Sequence, residues 1–144
     1  MNMLAKAIQI AAEDHLNQTD KGGKPYILHP LWVMNAVRHL GEDYMIVAVL
    51  HDVIEDSEYP TETYNNLVKK GFNQNVMYAL GLLTHNPDVP YDDYIKAIAT
   101  DSIAKAVKLR DLEHNTKITR LKGLRKKDFD RIEKYHRAYT YLLD

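Results

Sequence analysis

Histidine and carboxylate side chains gather in three separated segments of this 144-residue chain: His29, then His51-Asp52 with Glu55-Asp56, then Asp111. Imidazole nitrogens and carboxylate oxygens are the ordinary ligands of borderline divalent cations. Two imidazoles and two carboxylates, from His29, His51, Asp52 and Asp111, would hold one such ion and leave positions for water and substrate. An open position is what separates a catalytic metal site from a structural one. A cation there lowers the pKa of its water and polarises a phosphoryl oxygen. Glu55 and Asp56 follow one turn later, where they can orient or deprotonate that water without binding the ion.

These groups need an element that carries them, and the stretch Tyr44 to Asp56 supplies it. Its first half, Tyr44 to Leu50, is apolar or weakly polar on every side, the pattern of a helix enclosed by the rest of the domain. At about 100° per residue, His51, Asp52, Glu55 and Asp56 fall within an arc of roughly 140°. A histidine and three carboxylates on one side of an enclosed helix are costly unless something neutralises them. Asp111 lies amid Val107, Leu109 and Leu112, which points to a partly buried, paired acid.

The other elements follow from apolar spacing and breakers. Leu4 to Asn17 has helical spacing, and a polar loop from Gln18 to Pro25 contains Gly22-Gly23. His29-Pro30 opens a helix expected to run to Leu40 and stop at Gly41, and Asp43 is expected to cap the central helix. Thr61 is expected to cap a short helix ending near Gly71, and Asn73 starts another that reaches Thr84. A break at His85 to Pro90 precedes a helix from Tyr91 to Thr100. Asp101 or Ser102 caps the next one, and the last runs from about Asp128 to Leu143. With no period-two run, the fold expected is all-α, one domain over residues 1–144, with seven or eight helices.

Composition narrows the function classes. Hydrophobic residues at 45% fill one core, and a net charge of −1 argues against general nucleic-acid or membrane-surface binding. The absence of cysteine excludes disulfides, zinc fingers and thiol catalysis. No apolar run has membrane-spanning length, because His51-Asp52 interrupt the longest one, and a cytoplasmic protein is expected. His15, at the end of the first helix beside the polar loop, is not read as a site residue; His114 is read as a packing or hydrogen-bonding group beside Asn115, and Trp32 as core. The basic series Lys117, Arg120, Lys122, Arg125, Lys126 and Lys127 is read as a solvated loop. Tyr135 and Tyr139 read as packing rather than as a base-stacking platform, with a homo-oligomer contact as the alternative.

Three motifs in this order carry a resemblance: Gly-Lys-Pro-Tyr-Ile-Leu-His-Pro (Gly23 to Pro30), Leu-His-Asp-Val-Ile-Glu-Asp (Leu50 to Asp56) and Val-Lys-Leu-Arg-Asp-Leu-Glu-His-Asn (Val107 to Asn115). The chain resembles the His-Asp (HD) phosphohydrolase superfamily over nearly its whole length. Within it, the chain is similar to the hydrolase domain of the RelA/SpoT alarmone enzymes and to small metazoan SpoT homologues. The resemblance implies an HD helical bundle with manganese held by His29, His51, Asp52 and Asp111, and Glu55-Asp56 as catalytic pair. It also implies Lys21 and Asn115 toward the nucleotide, and hydrolysis of the 3′-pyrophosphate of ppGpp or pppGpp. Two positions depart from the pattern: Asp20 stands where a base is usual beside the guanine, and Arg110 precedes Asp111 instead of following it. They leave open another nucleotide substrate, such as NADPH losing its 2′-phosphate or a nucleoside monophosphate. A nucleotide-sensing module without turnover is the further alternative.

Overall fold

A computed structural model describes residues 2–144. Its elements are α1 (Met3–Asp14), α2 (Leu28–Ala36), α3 (Glu42–Glu55), α4 (Pro60–Lys69), α5 (Gln74–Leu83), α6 (Tyr91–Ile98), α7 (Ser102–Asn115) and α8 (Lys126–Leu143). Single turns of 3-10 helix occur at Arg38–Leu40 and Ile118–Arg120. The described residues contain no strand, only an isolated antiparallel bridge between Thr19 and Pro25. The expected all-α class and helix number both hold.

The apolar run organises the molecule as its pattern implies. Val47, Ala48, Val49 and Leu50 are each 0% exposed, so four successive residues, spanning every direction around α3, are enclosed. Helices α1, α2, α4, α5 and α7 pack around α3, and α8 lies across α6 and α7. Leu80 of α5, Leu112 of α7 and Val33 of α2 complete the core. Each large side chain so buried contributes about 1.5–3 kcal/mol against exposure. No described helix is long and apolar enough to cross a membrane.

Helix ends follow local chemistry, with some departures from expectation. Asn2, Asn73 and Asp101 each accept a hydrogen bond from a backbone N–H three residues on, at 3.0, 2.9 and 3.0 Å. Asp43 is not the cap of α3. Gly41, at φ +121, turns the chain so that the helix begins at Glu42, and Asp43 instead accepts from Asn73 Nδ2 at 3.0 Å. Thr61 does not cap α4, because Pro60 already occupies its first turn. Helix α2 stops at Ala36, and a 3-10 turn covers the stretch to Leu40 that was expected to continue it. Helix α8 starts before Asp128, whose Oδ2 reaches back to accept from the Arg125 N–H at 2.9 Å.

Because Leu50 has no exposed surface and stands immediately before His51, Leu50→Ala should cost about 2–5 kcal/mol in urea unfolding. Tyr78→Ala, at a residue 58% exposed, should stay within about 0.5 kcal/mol. Equal costs at the two positions would contradict α3 as the enclosed axis.

Candidate metal centre and adjoining cavity

Three helices deliver the clustered groups. The loop before α2 carries Tyr26, and the first turn of α2 brings in His29. The C-terminal half of α3 brings His51 and Asp52, and the middle of α7 brings Asp111. His29, His51 and Asp111 are buried, at 2, 4 and 5% exposure. His29 Nε2 lies 2.8 Å from Asp111 Oδ1 and 3.8 Å from Asp52 Oδ2. His51 Nε2 lies 3.3 Å from Asp111 Oδ1 and 3.1 Å from Asp52 Oδ2. The four residues read from the sequence therefore converge on one point.

Donor chemistry tests whether a cation fits there. His51 Nδ1 lies 2.5 Å from the carbonyl oxygen of Ala48, which only accepts, so Nδ1 carries the ring proton. A neutral His51 then turns a bare Nε2 lone pair toward two carboxylate oxygens. That contact repels unless a positive charge lies between them, either a second proton on the ring or a metal ion. Bonds of about 2.1 Å at right angles around one ion place neighbouring ligand atoms about 3 Å apart. The four separations bracket that spacing. The buried His-His-Asp group, with Asp52 beside it, is thus compatible with a divalent metal.

Electrostatics point the same way. Burial pushes His51 toward its neutral form, but Asp52 and Asp111 outweigh this and hold its pKa well above the ordinary range. Burial likewise opposes ionisation of Asp52, yet His51 brings its carboxyl down to about 2. Asp111 is held well below the usual carboxylate range against its own burial, with Lys108 the largest favourable influence. The cluster is arranged to keep both acids ionised and to draw in positive charge.

Surrounding side chains fix the rings and carboxylates. Tyr26 OH donates to Asp52 Oδ2, and Lys108 Nζ donates to Asp111 Oδ2 at 2.9 Å. His29 Nδ1 meets His114 Nδ1 at 2.7 Å. Burial, together with Arg120 and His29, lowers His114 to about 4, so its neutral ring can accept the His29 proton and leave His29 Nε2 bare toward the cluster. Trp32, expected in the core, lies at its margin and stacks on His114 at 4.4 Å, which holds that ring in place.

Glu55 and Asp56 stand at the end of α3, with both side chains reaching solvent. Partial burial raises Glu55 above its usual range against the pull of Lys108, and burial together with Asp52 raises Asp56. Asp56 Oδ2 accepts from Gln18 Nε2 at 3.3 Å, and Gln18 Oε1 lies 2.8 Å from His15 Nδ1. His15 therefore reaches the cluster indirectly, by turning the Gln18 amide so that its N–H faces Asp56. Gln18, Lys108 and Tyr26 escaped the sequence reading. Tyr26 and Lys108 stand inside the first and third motifs and Gln18 outside all three, but none has the spacing of a ligand, and only packing brings them to acids.

A cavity of about 320 Å³ adjoins the cluster, lined by Lys21, Tyr26, Asn115, Arg120, Arg131 and Tyr135 among others. Asn115 Nδ2 donates to Asp111 Oδ1 at 3.0 Å, and Asn115 Oδ1 accepts from Arg120 at 3.3 Å. Arg120, expected in a solvated loop, is half-buried instead. It also donates to the His114 carbonyl oxygen at 3.0 Å and pairs with Asp20 at 3.5 Å. The Asp20 carboxylate is consumed locally, its Oδ1 accepting from the Gly22 and Lys24 N–H groups at 2.9 Å each. Arg110 turns away from the cavity and pairs with Glu113 at 2.9 Å. Both departures from the motif pattern thus have structural partners, and Arg120 enters the cavity from the loop after α7.

A search of protein-family models found no match to the chain. The chain is 33% identical over 124 residues to guanosine-3′,5′-bis(diphosphate) 3′-pyrophosphohydrolase of Aquifex aeolicus, a match covering 79% of this chain and 17% of that protein. It is 28% identical over 131 residues to a probable GTP pyrophosphokinase of Mycobacterium leprae, covering 83% and 16%. The chain thus spans about one sixth of the length of these relatives. A solved structure of a metazoan orthologue of SpoT, described as hydrolysing ppGpp, matches the fold with a TM-score of 0.79 at 22% identity, over 99% of this chain and 86% of that one. The fold, the clustered His-Asp segments and these relatives place the chain among the HD-type, RelA/SpoT hydrolase-like proteins.

Proposed function

We propose that the chain is a metal-dependent hydrolase of phosphorylated nucleotides that removes the 3′-pyrophosphate of ppGpp or pppGpp. The observation that carries this reading is the convergence of His29, His51, Asp52 and Asp111 at one edge of a cavity lined by Lys21, Arg120 and Arg131. The relatives carry both pyrophosphokinase and pyrophosphohydrolase names. Imidazoles and carboxylates grouped around one point, with two further acids a turn away, suit activation of water and favour the hydrolase.

In this reading His29, His51, Asp52 and Asp111 hold a divalent ion, with Mn²⁺ the ion proposed. When bound, it supplies Lewis-acid polarisation of phosphoryl oxygen and acidification of water. The chain's own groups do the rest. Glu55 and Asp56, both less acidic than free carboxylic acids, are the stronger bases for it and take the proton from the attacking water. The water oxygen bonds to the phosphorus attached to the ribose 3′ oxygen, the bond from that phosphorus to the ribose oxygen breaks, and the proton taken by the carboxylate passes to the leaving ribose oxygen. Gln18 holds Asp56 toward the cluster, and Lys21 and Asn115 face the nucleotide.

Chelation should abolish turnover of ppGpp, and added Mn²⁺ should restore it. Asp52→Ala should lose metal and activity together and should not be rescued by Mn²⁺. Metal analysis beside a ppGpp assay reads both, and full activity in chelated protein or in Asp52→Ala would overturn the site. A panel adding pppGpp, NADPH and nucleoside monophosphates decides the substrate, and preference for either of the latter two would replace the alarmone reading.

Glu55→Gln keeps shape while removing basicity, and should lower kcat by about 10²-fold or more. Metal content and KM should change little, because the lost interaction belongs to the transition state. Asp56→Asn should behave alike, and the double variant should cost less than the product of the two. Loss of metal in Glu55→Gln would instead make it a ligand, and unchanged kcat in both single variants would end this mechanism.

A further inference from the structure

Beyond the nucleotide cavity lies a second concavity of about 480 Å³, lined by Lys21, Lys122, Arg125 and Lys127 together with Leu121 and Asp128. Lys21 and Leu121 belong to the walls of both, so the two spaces adjoin. None of the four cations lies within 4 Å of a carboxylate oxygen among the described residues. The acids nearby are already used. Asp128 accepts from the Arg125 N–H and from Arg131 at 3.2 Å, Asp20 pairs with Arg120, and Asp130 pairs with Lys126 at 3.0 Å.

The walls also hold these charges close to the backbone. A side chain at Gly23 would bring its Cβ within 3.3 Å of Lys122 Nζ, so the ammonium group is folded over the loop that carries Lys21. Gly23 and Gly123, at φ +83 and +132, take turns that other residues resist and put no side chain in the way. In a chain of net charge −1, four uncompensated cations around one hollow create a local field that attracts an anion of several charges. Arginine and lysine bind phosphate oxygens through charge-assisted hydrogen bonds.

The order in space is metal cluster, nucleotide cavity, basic hollow. Tyr26 and Asn115 form the junction of the first two, since they bond Asp52 and Asp111, and Lys21 forms the junction of the last two. A nucleotide with its 3′ end at the cluster and its base and sugar in the middle cavity would send its 5′ chain toward the hollow. We propose that Lys122, Arg125 and Lys127 bind the terminal phosphate of the 5′ chain, so that the protein prefers a 5′-triphosphate to a 5′-diphosphate. This inference rests on the nucleotide-hydrolase reading and adds the 5′ end to it.

The test is the triple variant Lys122→Gln, Arg125→Gln, Lys127→Gln, all at exposed positions, with Lys21 left in place. Unchanged metal content and thermal midpoint establish that it is folded. KM for pppGpp should rise roughly tenfold, the loss of charge-assisted bonds to one phosphate, with kcat unchanged. KM for ppGpp should rise less than about threefold. Inorganic tripolyphosphate should compete with pppGpp in the unaltered protein and compete far more weakly in the variant. Equal changes for both nucleotides, no change for either, or inhibition that does not compete with pppGpp would each overturn the proposal. Calorimetric titration with tripolyphosphate and with GTP keeps the two readings separable. If neither alarmone is turned over, GTP binding that weakens in the variant supports the hollow while the hydrolase reading fails. Absence of GTP binding to the unaltered protein overturns the hollow itself.

Discussion

Two carboxylates and two imidazoles meet below the protein surface, and the surrounding structure exists to make that bearable. An isolated ionised carboxylate loses several kcal/mol when it leaves water. Here Asp111 is 5% exposed, yet it is met by Lys108, Asn115, His29 and His51 at once. Every partner but Lys108 meets one oxygen, Oδ1, while Lys108 takes the other. That division leaves Oδ1 as the atom where the cluster's negative charge converges with two imidazole nitrogens. The apolar length of α3 makes this arrangement rigid, because Val47 to Leu50 cannot rotate or slide without opening the core.

Support for the cluster is carried outward through groups that each have their hydrogen-bonding choices removed. His51 is turned by the Ala48 carbonyl, and His29 by His114, which Trp32 covers. Asn115 cannot flip, since Arg120 must face its oxygen and Asp111 its amide nitrogen. Gln18 is fixed the same way, between His15 and Asp56. The loop before α2 and the loop after α7 are thereby tied to each other through Asp20 and Arg120, and both border the cavity. At Gly22 any Cβ would collide with the Arg120 carbonyl oxygen, so the two loops touch backbone to backbone. Cavity-side and cluster-side groups therefore form one hydrogen-bonded framework.

What the sequence determined by itself was whatever is written in local chemistry and spacing. The helices, the enclosed course of α3 and the grouping of His51, Asp52, Glu55 and Asp56 on one arc depend on a period of 3.6 and on apolar pattern, which a single chain displays. His29, Asp111 and Asn115 were legible because they sit in recognisable motifs, and the structure brings all three to the same place. The expected caps Asp43 and Thr61 failed because a left-handed glycine and a proline set those helix starts instead.

Only the tertiary structure decided which distant groups meet. Lys108 and Arg110 look alike in sequence, two basic residues just before Asp111 on one helix, yet Lys108 pairs with the cluster acid and Arg110 with Glu113 on the side facing α8. Arg120 reads as one of six cations in a solvated loop, until the fold closes that loop onto Asp20 and Asn115 and turns Lys122, Arg125 and Lys127 around a separate hollow. Asp20 reads as an acid facing a purine, until two backbone N–H groups and a guanidinium occupy it. The physical reason is common to all three. A polar side chain's partner is chosen by three-dimensional proximity and desolvation, and neither quantity has a period along the chain.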